Sequence, residues 1–252
     1  VTFSAENLTI RHGSLTVLSG VSLHLQEGQV TGLIGPNGVG KSSLLKGIAG
    51  LSRVSGSMSF GDARLDATQR RKIIAYMPQD SSAGSSLSLL EVVLLGRIRT
   101  LGFRVGQDLI SSVEALLDDF NLAHLAHRTL DAVSGGQRQL TYLAQALFRE
   151  PQILLLDEPT AALDLRNQLI VFETLRKLAQ EKNISVVVAL HDLSLTAQFC
   201  DQVLCLSDGQ LDASGPPAEV LTKERLARVY GIETEVSFDR SNHLRVSALR
   251  AL

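Results

Sequence analysis

The chain lacks a long apolar run, an excess of charge of either sign, abundant cysteine and any internal repeat, and each absence removes a class of function. None of its hydrophobic stretches approaches the ~18–20 residues of a membrane-spanning helix, and its N-terminal stretch does not read as a signal peptide. Lys and Arg number 24 against 26 Asp and Glu, a formal net charge of −2. That balance gives no broad attraction to nucleic acid or anionic lipid. The two cysteines, Cys200 and Cys205, lie beside apolar residues. A disulfide or half a metal site are the alternatives, but two buried free thiols in a reducing compartment suit those surroundings better. There is no heptad array and no low-complexity tract. What remains is 252 residues, 44% of them hydrophobic, enough for one large domain or a core with a subdomain. The expectation is a cytosolic protein that a partner must hold if it works at a membrane.

What is present starts at Gly35-Pro36-Asn37-Gly38-Val39-Gly40-Lys41-Ser42, which follows the apolar run Val30 to Ile34 and opens an expected helix, Lys41 to Leu51. Strand, glycine-rich turn and helix form the context in which G-x-x-x-x-G-K-[ST] means a nucleoside triphosphate. Glycines free the backbone N–H groups to converge on phosphate oxygens, and the helix N-terminus, including Ser43, adds partial positive charge. Lys41 supplies a full charge to the β- and γ-phosphates, and the Ser42 hydroxyl is a Mg²⁺ ligand in such a site.

Along the chain, Thr2 to Leu25 reads as antiparallel strands broken at Gly13 and Gly20. Ser57 to Phe60 and Ile73 to Tyr76 are further strands, the second leading to Met77-Pro78-Gln79. From Asp80 the composition changes to a loop, and helical periodicity dominates from Leu87 to Glu150. Leu90, Val93 and Leu94 mark one helix, and Val113, Leu116 and Leu117 the next. The α/β alternation returns with strand Ile153 to Leu156, helix Leu165 to Lys182, strand Ile184 to Leu190, helix Leu193 to Cys200 and strand Gln202 to Leu206. Such alternation predicts an α/β fold around a largely parallel sheet, with ligands beyond the carboxyl ends of its strands. Gly35, Asp157 and His191 each stand at such an end.

Asp157-Glu158 ends an apolar strand, where two carboxylates are costly unless a cation or hydrogen bonds compensate them. Asp157 is placed for the Mg²⁺ hydration shell and Glu158 to polarise an attacking water; a helix cap before Pro159 would explain one of them and not both. Ser134-Gly135-Gly136-Gln137 precedes another helix, with Ser134 a natural N-cap, and forms a second anion-binding helix start. A mononucleotide needs one phosphate cradle, so the second suggests service to the nucleotide of another copy. An ordinary capped helix is the simpler alternative.

Gly35–Ser42, Ser134–Gln137, Asp157-Glu158 and His191, in this order and spacing, resemble the ATP-binding subunit of an ABC transporter over roughly residues 2 to 235. The resemblance implies a P-loop NTPase (RecA-like) core with an N-terminal antiparallel β subdomain and a helical insert. The ATPase domain would span 1–235, the insert about 80–150, and a short extension 236–252. It implies ATP and Mg²⁺ as cofactors, with Gln79 contacting Mg²⁺ or the attacking water and His191 contacting the γ-phosphate. Val133 stands where the family's signature begins with leucine. Ala162-Leu163-Asp164 matches the loop that crosses a dimer interface. His12 falls where the family has an aromatic residue stacked on adenine, and either stacks there or is a turn residue without ligand contact.

The implied partners are a second copy in a head-to-tail ATP sandwich, membrane permease subunits and, indirectly, an extracytoplasmic substrate-binding protein, with no nucleic acid. The implied location is peripheral, at the cytoplasmic face of the inner membrane. Leu87–Arg97 and the tail Gly215–Gly231 resemble the importer ATPases for iron-siderophore, haem or cobalamin uptake, with Asp80 to Arg97 the expected groove for the permease. A soluble ABC ATPase that remodels nucleic acid, ribosomes or assembly factors is the alternative; tandem cassettes, coiled-coil arms or a basic surface would mark it. His124 and His127, one helical turn apart, and the run Arg70-Arg71-Lys72 are expected to be solvated surface groups. Val236–Phe238 and Leu244–Val246 suggest a small hairpin looped by Asp239–His243.

Overall fold

The computed structural model describes residues 2–79, 85–98, 105–161, 163–239 and 243–252. Its first half runs β1 (Thr2–His12), β2 (Leu15–Gln26), β3 (Val30–Ile34), α1 (Lys41–Ile48), β4 (Ser55–Phe60), β5 (Ala63–Arg64), α2 (Ala67–Ile73) and β6 (Ile74–Met77). Among the described residues three α-helices follow, α3 (Leu89–Leu94), α4 (Gln107–Asp119) and α5 (Gly135–Phe148), with short 3-10 turns between them. Alternation resumes with β7 (Ile153–Asp157), α6 (Leu165–Lys182), β8 (Ser185–Ala189), α7 (Leu193–Phe199), β9 (Gln202–Ser207) and β10 (Gln210–Gly215). The chain closes with α8 (Pro217–Val220), α9 (Lys223–Tyr230), β11 (Ile232–Phe238) and β12 (Leu244–Ala251).

The central sheet has the order β10-β9-β3-β8-β7-β6, parallel except for β10 at one edge. Residues of β3, β7 and β8 are buried throughout because successive side chains enter opposite layers. Ile34, Leu154, Leu156, Val186 and Val188 join a core with α4, α5 and α6. Leu33, Ile153, Leu155 and Val187 join a second core with α1 and the antiparallel strands. Two packed faces explain why these strands read as unbroken apolar runs.

The antiparallel sheet, order β2-β1-β4-β5, lies over α1. Gly13 is in the turn between β1 and β2, as expected, but Gly20 does not break the chain. It sits inside β2, where the register with β1 shifts, and its N–H donates to Thr9 Oγ1 at 3.2 Å. A bulge absorbs the glycine that the sequence marked as a stop. Arg70 departs from expectation too. It is 8% exposed, and its guanidinium donates to the Gly47 and Ile48 carbonyls that end α1. A buried cation there satisfies carbonyls that α1 cannot bond itself and opposes its dipole.

The C-terminal strands are longer than the sequence pattern suggested. β11 and β12 pair from Ile232↔Ala251 to Phe238↔Leu244, and residues 240–242 of the expected loop lie outside the described residues. Leu244 and Val246 enter the main core, and Ser194 Oγ on α7 donates to Val246 O at 2.9 Å. Cys200 and Cys205 are free and buried, as expected, and burial pushes their thiols up to about 12 and about 11.

Candidate functional site

β3, β6, β7 and β8 run parallel, so the residues that follow their carboxyl ends start side by side at one edge of the sheet. The loop after β3 is shaped by close approach. A Cβ on Gly35 would come within 2.5 Å of the Leu206 carbonyl oxygen, and its φ of 148° is glycine territory. Gly38, with φ 78°, faces open space at the tip of the loop, beside exposed Asn37. Pro36 accepts from the Val39 N–H at 3.3 Å and so closes the turn, and Gly40 caps α1.

Lys41, first residue of α1, turns back into this loop. It is 6% exposed, and its Nζ donates to Gly35 O at 2.7 Å and Pro36 O at 3.3 Å. Burial pushes its pKa down, while Glu158 and Asp157 pull it back up. A buried cation bonded only to loop carbonyls is a ready partner for an anion with more charge to offer.

Next to it, Ser42 Oγ donates to Asp157 Oδ1 at 3.1 Å. Asp157 is 2% exposed, and its Oδ2 accepts from the Tyr76 hydroxyl, also at 3.1 Å. Burial first, then the neighbouring Asp157, pushes the Tyr76 phenol pKa up, so it remains a donor. The Ser42 hydroxyl and Asp157 carboxylate are hard oxygen donors and fit Mg²⁺, which keeps much of its shell for water and phosphate. Among the described residues no group of three or more His, Cys, Asp or Glu side chains is arranged to hold an ion, so the nucleotide would have to supply other ligands.

Glu158 follows with φ 52°, an uncommon backbone for a side chain with a Cβ. Its carbonyl accepts from Gln139 Nε2 at 3.2 Å and from the Ala161 N–H at 3.3 Å. Its carboxylate accepts from Gln79 Nε2 at 2.7 Å, and its other oxygen contacts His191 Nε2. Lys41, Ser42, Gln79, Asp157, Glu158 and His191 thus meet in one place.

Three other expected groups do not join them within this chain. Ser134 caps α5 in a reciprocal box: Gln137 N–H donates to Ser134 Oγ, and Ser134 N–H to Gln137 Oε1. Ser134 and Gly135 are exposed, Gly136 partly so, leaving the helix start open to an external anion. Asp164 caps α6 through the Asn167 N–H at 2.8 Å and is exposed; Ala162 beside it lies outside the described residues. His12 is exposed at the end of β1, paired across the turn with Leu15. The start of β2 reaches the site, since a Cβ on Gly40 would touch Val17 and Leu18 at 3.0 Å. His124 and His127 are exposed, as expected.

Tyr76 and Gln139 were missed. Tyr76 is visible only once β6 is known to neighbour β7, and Gln139 only once α5 is known to pass beneath the residue after β7.

A lysine that folds back on its own loop, beside one carboxylate shared by a serine and a tyrosine and another set against a histidine, has the chemistry that nucleotide hydrolysis needs. On this sheet topology it defines a P-loop ATPase. More narrowly, the chain belongs to the ABC transporter family, whose family model matches residues 18–161. It is 41% identical to the hemin import ATP-binding protein of Pseudomonas fluorescens, over 92% of this chain and 93% of that one. The corresponding Bordetella pertussis protein is 37% identical over 94% of each. Among solved structures, a chain of a metal-chelate type ABC transporter in an inward-facing conformation superposes with a TM-score of 0.84 and 29% identity, covering 99% of this chain and 98% of that one. A dimeric bacterial ABC transporter cassette matches with a TM-score of 0.75 and 28% identity, covering 85% and 98%.

Proposed function

We propose that this chain hydrolyses ATP as one half of a head-to-tail homodimer that powers a membrane importer for haem or a similar iron chelate. The importer reading is carried by the likeness to hemin import ATP-binding proteins along nearly the whole chain. The metal-chelate transporter's likeness points the same way. Of the siderophore, haem and cobalamin cargoes that the sequence suggested, the relatives' names favour haem. The match to a cassette whose structure is dimeric supports the pairing.

In this reading Lys41 gives up its bonds to the Gly35 and Pro36 carbonyls for β- and γ-phosphate oxygens, and the backbone N–H groups of Gly35 and of Asn37 to Ser43, those of Gly38, Val39 and Gly40 among them, complete the cradle. Mg²⁺, when bound, neutralises charge on the phosphate oxygens, and Ser42, Asp157 and Gln79 are its ligands or hold its water. Glu158 takes the proton of the attacking water. His191 keeps that carboxylate aligned and faces the γ-phosphate. Ser134, Gly135, Gly136 and Gln137 of the second copy close over the nucleotide, with Asp164 at the seam and His12 beside the base. ATP drives closure only through its higher affinity for the closed pair.

Among the described residues no helix is long and apolar enough to cross a membrane. In this proposal the chain sits peripherally on the cytoplasmic face, against a permease that receives cargo from an extracytoplasmic binding protein. The permease groove is the segment Asp80 to Arg97; residues 80–84 lie outside the described residues, and Leu87 and Leu95 are exposed in the remainder.

The test is a tagged Glu158→Gln pull-down from detergent-solubilised membranes, with partners identified by mass spectrometry. A multi-span permease in near-equal amount is expected. Recovery only from the soluble fraction, with nucleic acid, ribosomes or assembly factors attached, would replace the importer with a soluble ABC ATPase.

A further inference from the structure

One residue of β6 and one just beyond it bond two adjacent carboxylates at the neighbouring strand's end. Gln79 Nε2 bonds Glu158, and three residues earlier the Tyr76 hydroxyl bonds Asp157. The register explains the second contact: Tyr76 lies opposite Leu155 in the parallel β6–β7 pair, so Asp157, two residues on, presents its side chain on the same face. Asp157 is 2% exposed, and its two oxygens are divided between donors, Ser42 on Oδ1 and Tyr76 on Oδ2.

These two donors are not equivalent. Ser42 belongs to the phosphate loop and must offer its oxygen to any cation bound with the nucleotide. Tyr76 belongs to the sheet and is free of that duty. Its phenol can hold the carboxylate in one rotamer whether or not the site is loaded, leaving Oδ1 facing Ser42.

We propose that Tyr76 is a positioning residue that sets the metal affinity of the site by fixing the Asp157 carboxylate. The inference rests on the reading of Asp157 as the Mg²⁺ carboxylate. A hydrogen bond behind a metal-binding group is ordinarily worth 10–100-fold in metal affinity. Removing the Tyr76 hydroxyl is therefore expected to weaken divalent-ion binding by roughly 10–100-fold, with little effect on nucleotide bound without metal.

The test is Tyr76→Phe, which deletes one oxygen from a packed ring. Mn²⁺ is titrated into the ATP-loaded protein and followed by electron paramagnetic resonance, and binding of a fluorescent ATP analogue is measured in EDTA. The expected result is a weakened Mn²⁺ affinity with EDTA binding within about twofold of wild type. Tyr76→His, which returns a donor, is expected to recover part of the loss, as a mere packing defect would not. Asp157→Asn separates the two ideas. If it weakens Mn²⁺ binding and Tyr76→Phe does not, the role of Tyr76 is wrong. If Asp157→Asn itself leaves Mn²⁺ binding unchanged, the metal reading of Asp157 falls. Should Tyr76→Phe not fold, Tyr76→Leu takes its place: Mn²⁺ binding weakened in the Leu variant and partly recovered in the His variant is expected, and wild-type affinity in a folded Leu variant would overturn the role of Tyr76.

Discussion

At the scale of single residues, the site is a set of groups that satisfy one another until a substrate arrives. Lys41 bonds its own loop, Ser42 and Tyr76 share Asp157, and Gln79 and His191 share Glu158. Glu158 has the most to lose on replacement, because it is held at both carboxylate oxygens and at its carbonyl, in a backbone conformation that few side chains adopt. Glu158→Gln keeps the shape and, in the proposed reading, loses the base. Turnover is expected to fall by roughly 10²–10⁴, the usual worth of a general base, while ATP still closes the dimer. Steady-state phosphate release measures the first, and size-exclusion chromatography with ATP the second. Turnover equal to wild type would remove Glu158 from the chemistry. A variant that neither turns over nor dimerises would instead mean that the bonds to Gln79 and His191 are structural.

At the scale of elements, the sequence was readable wherever one residue type had one job. The glycine loop, the all-apolar strands and the Ser134 cap each follow from local chemistry, and the structure has them at their expected places. What could not be read depends on which elements touch. Gly20 reads as a stop and is a bulge, because only the partner strand's register shows that a residue is accommodated there. Arg70 reads as a solvated helix end and is buried, because only the packing of α2 on α1 brings it to the Gly47 carbonyl. The helical insert holds a third case. Gly96, just beyond α3, packs so closely on α5 that an added Cβ would collide with the Gln145 carbonyl oxygen, a backbone atom with little room to yield. Around it Gln145 Nε2 donates to Val92 O at 2.7 Å, and Arg97 Nε to Phe148 O at 2.6 Å, with the Arg97 guanidinium over the Phe148 ring. Gly96→Ala is expected to push α3 from α5 at a cost of about 1–3 kcal/mol. Hydrogen exchange then speeds up in peptides of α3 and α5 and stays unchanged in β3 and β8. Equal acceleration everywhere would mean that the insert does not unfold as its own unit.

At the scale of the whole molecule, the last stretch of chain is tied to the sheet that carries the site. α9 packs Tyr230 against the main core that the sheet shares, with its hydroxyl buried. What fixes α9 there is a charge cluster on the edge strand β10. Arg228 bonds both oxygens of Asp212, and Arg225 bonds Asp212 at 3.1 Å together with the Glu219 and Val220 carbonyls. The bond from Arg228 does most to hold the Asp212 carboxyl below its usual range, with the charges of both arginines adding to it and burial opposing. A depressed carboxylate pKa contributes stability that is fully present above the unfolded value, about 4 for aspartate, and disappears as pH falls through the folded value. Asp212→Asn is therefore expected to lower stability by about 1 kcal/mol at pH 7, the upper end for ion pairs that water still screens. The gap between wild type and variant narrows below about pH 4, where Asp212 of the unfolded wild-type chain begins to protonate before the folded carboxyl does. Urea unfolding of both proteins at pH 7, 5 and 3 measures it. A gap that stays constant over that range would assign the loss to packing around residue 212 and not to its charge, and α9 would then be held by its apolar face, Leu226 and Val229, alone.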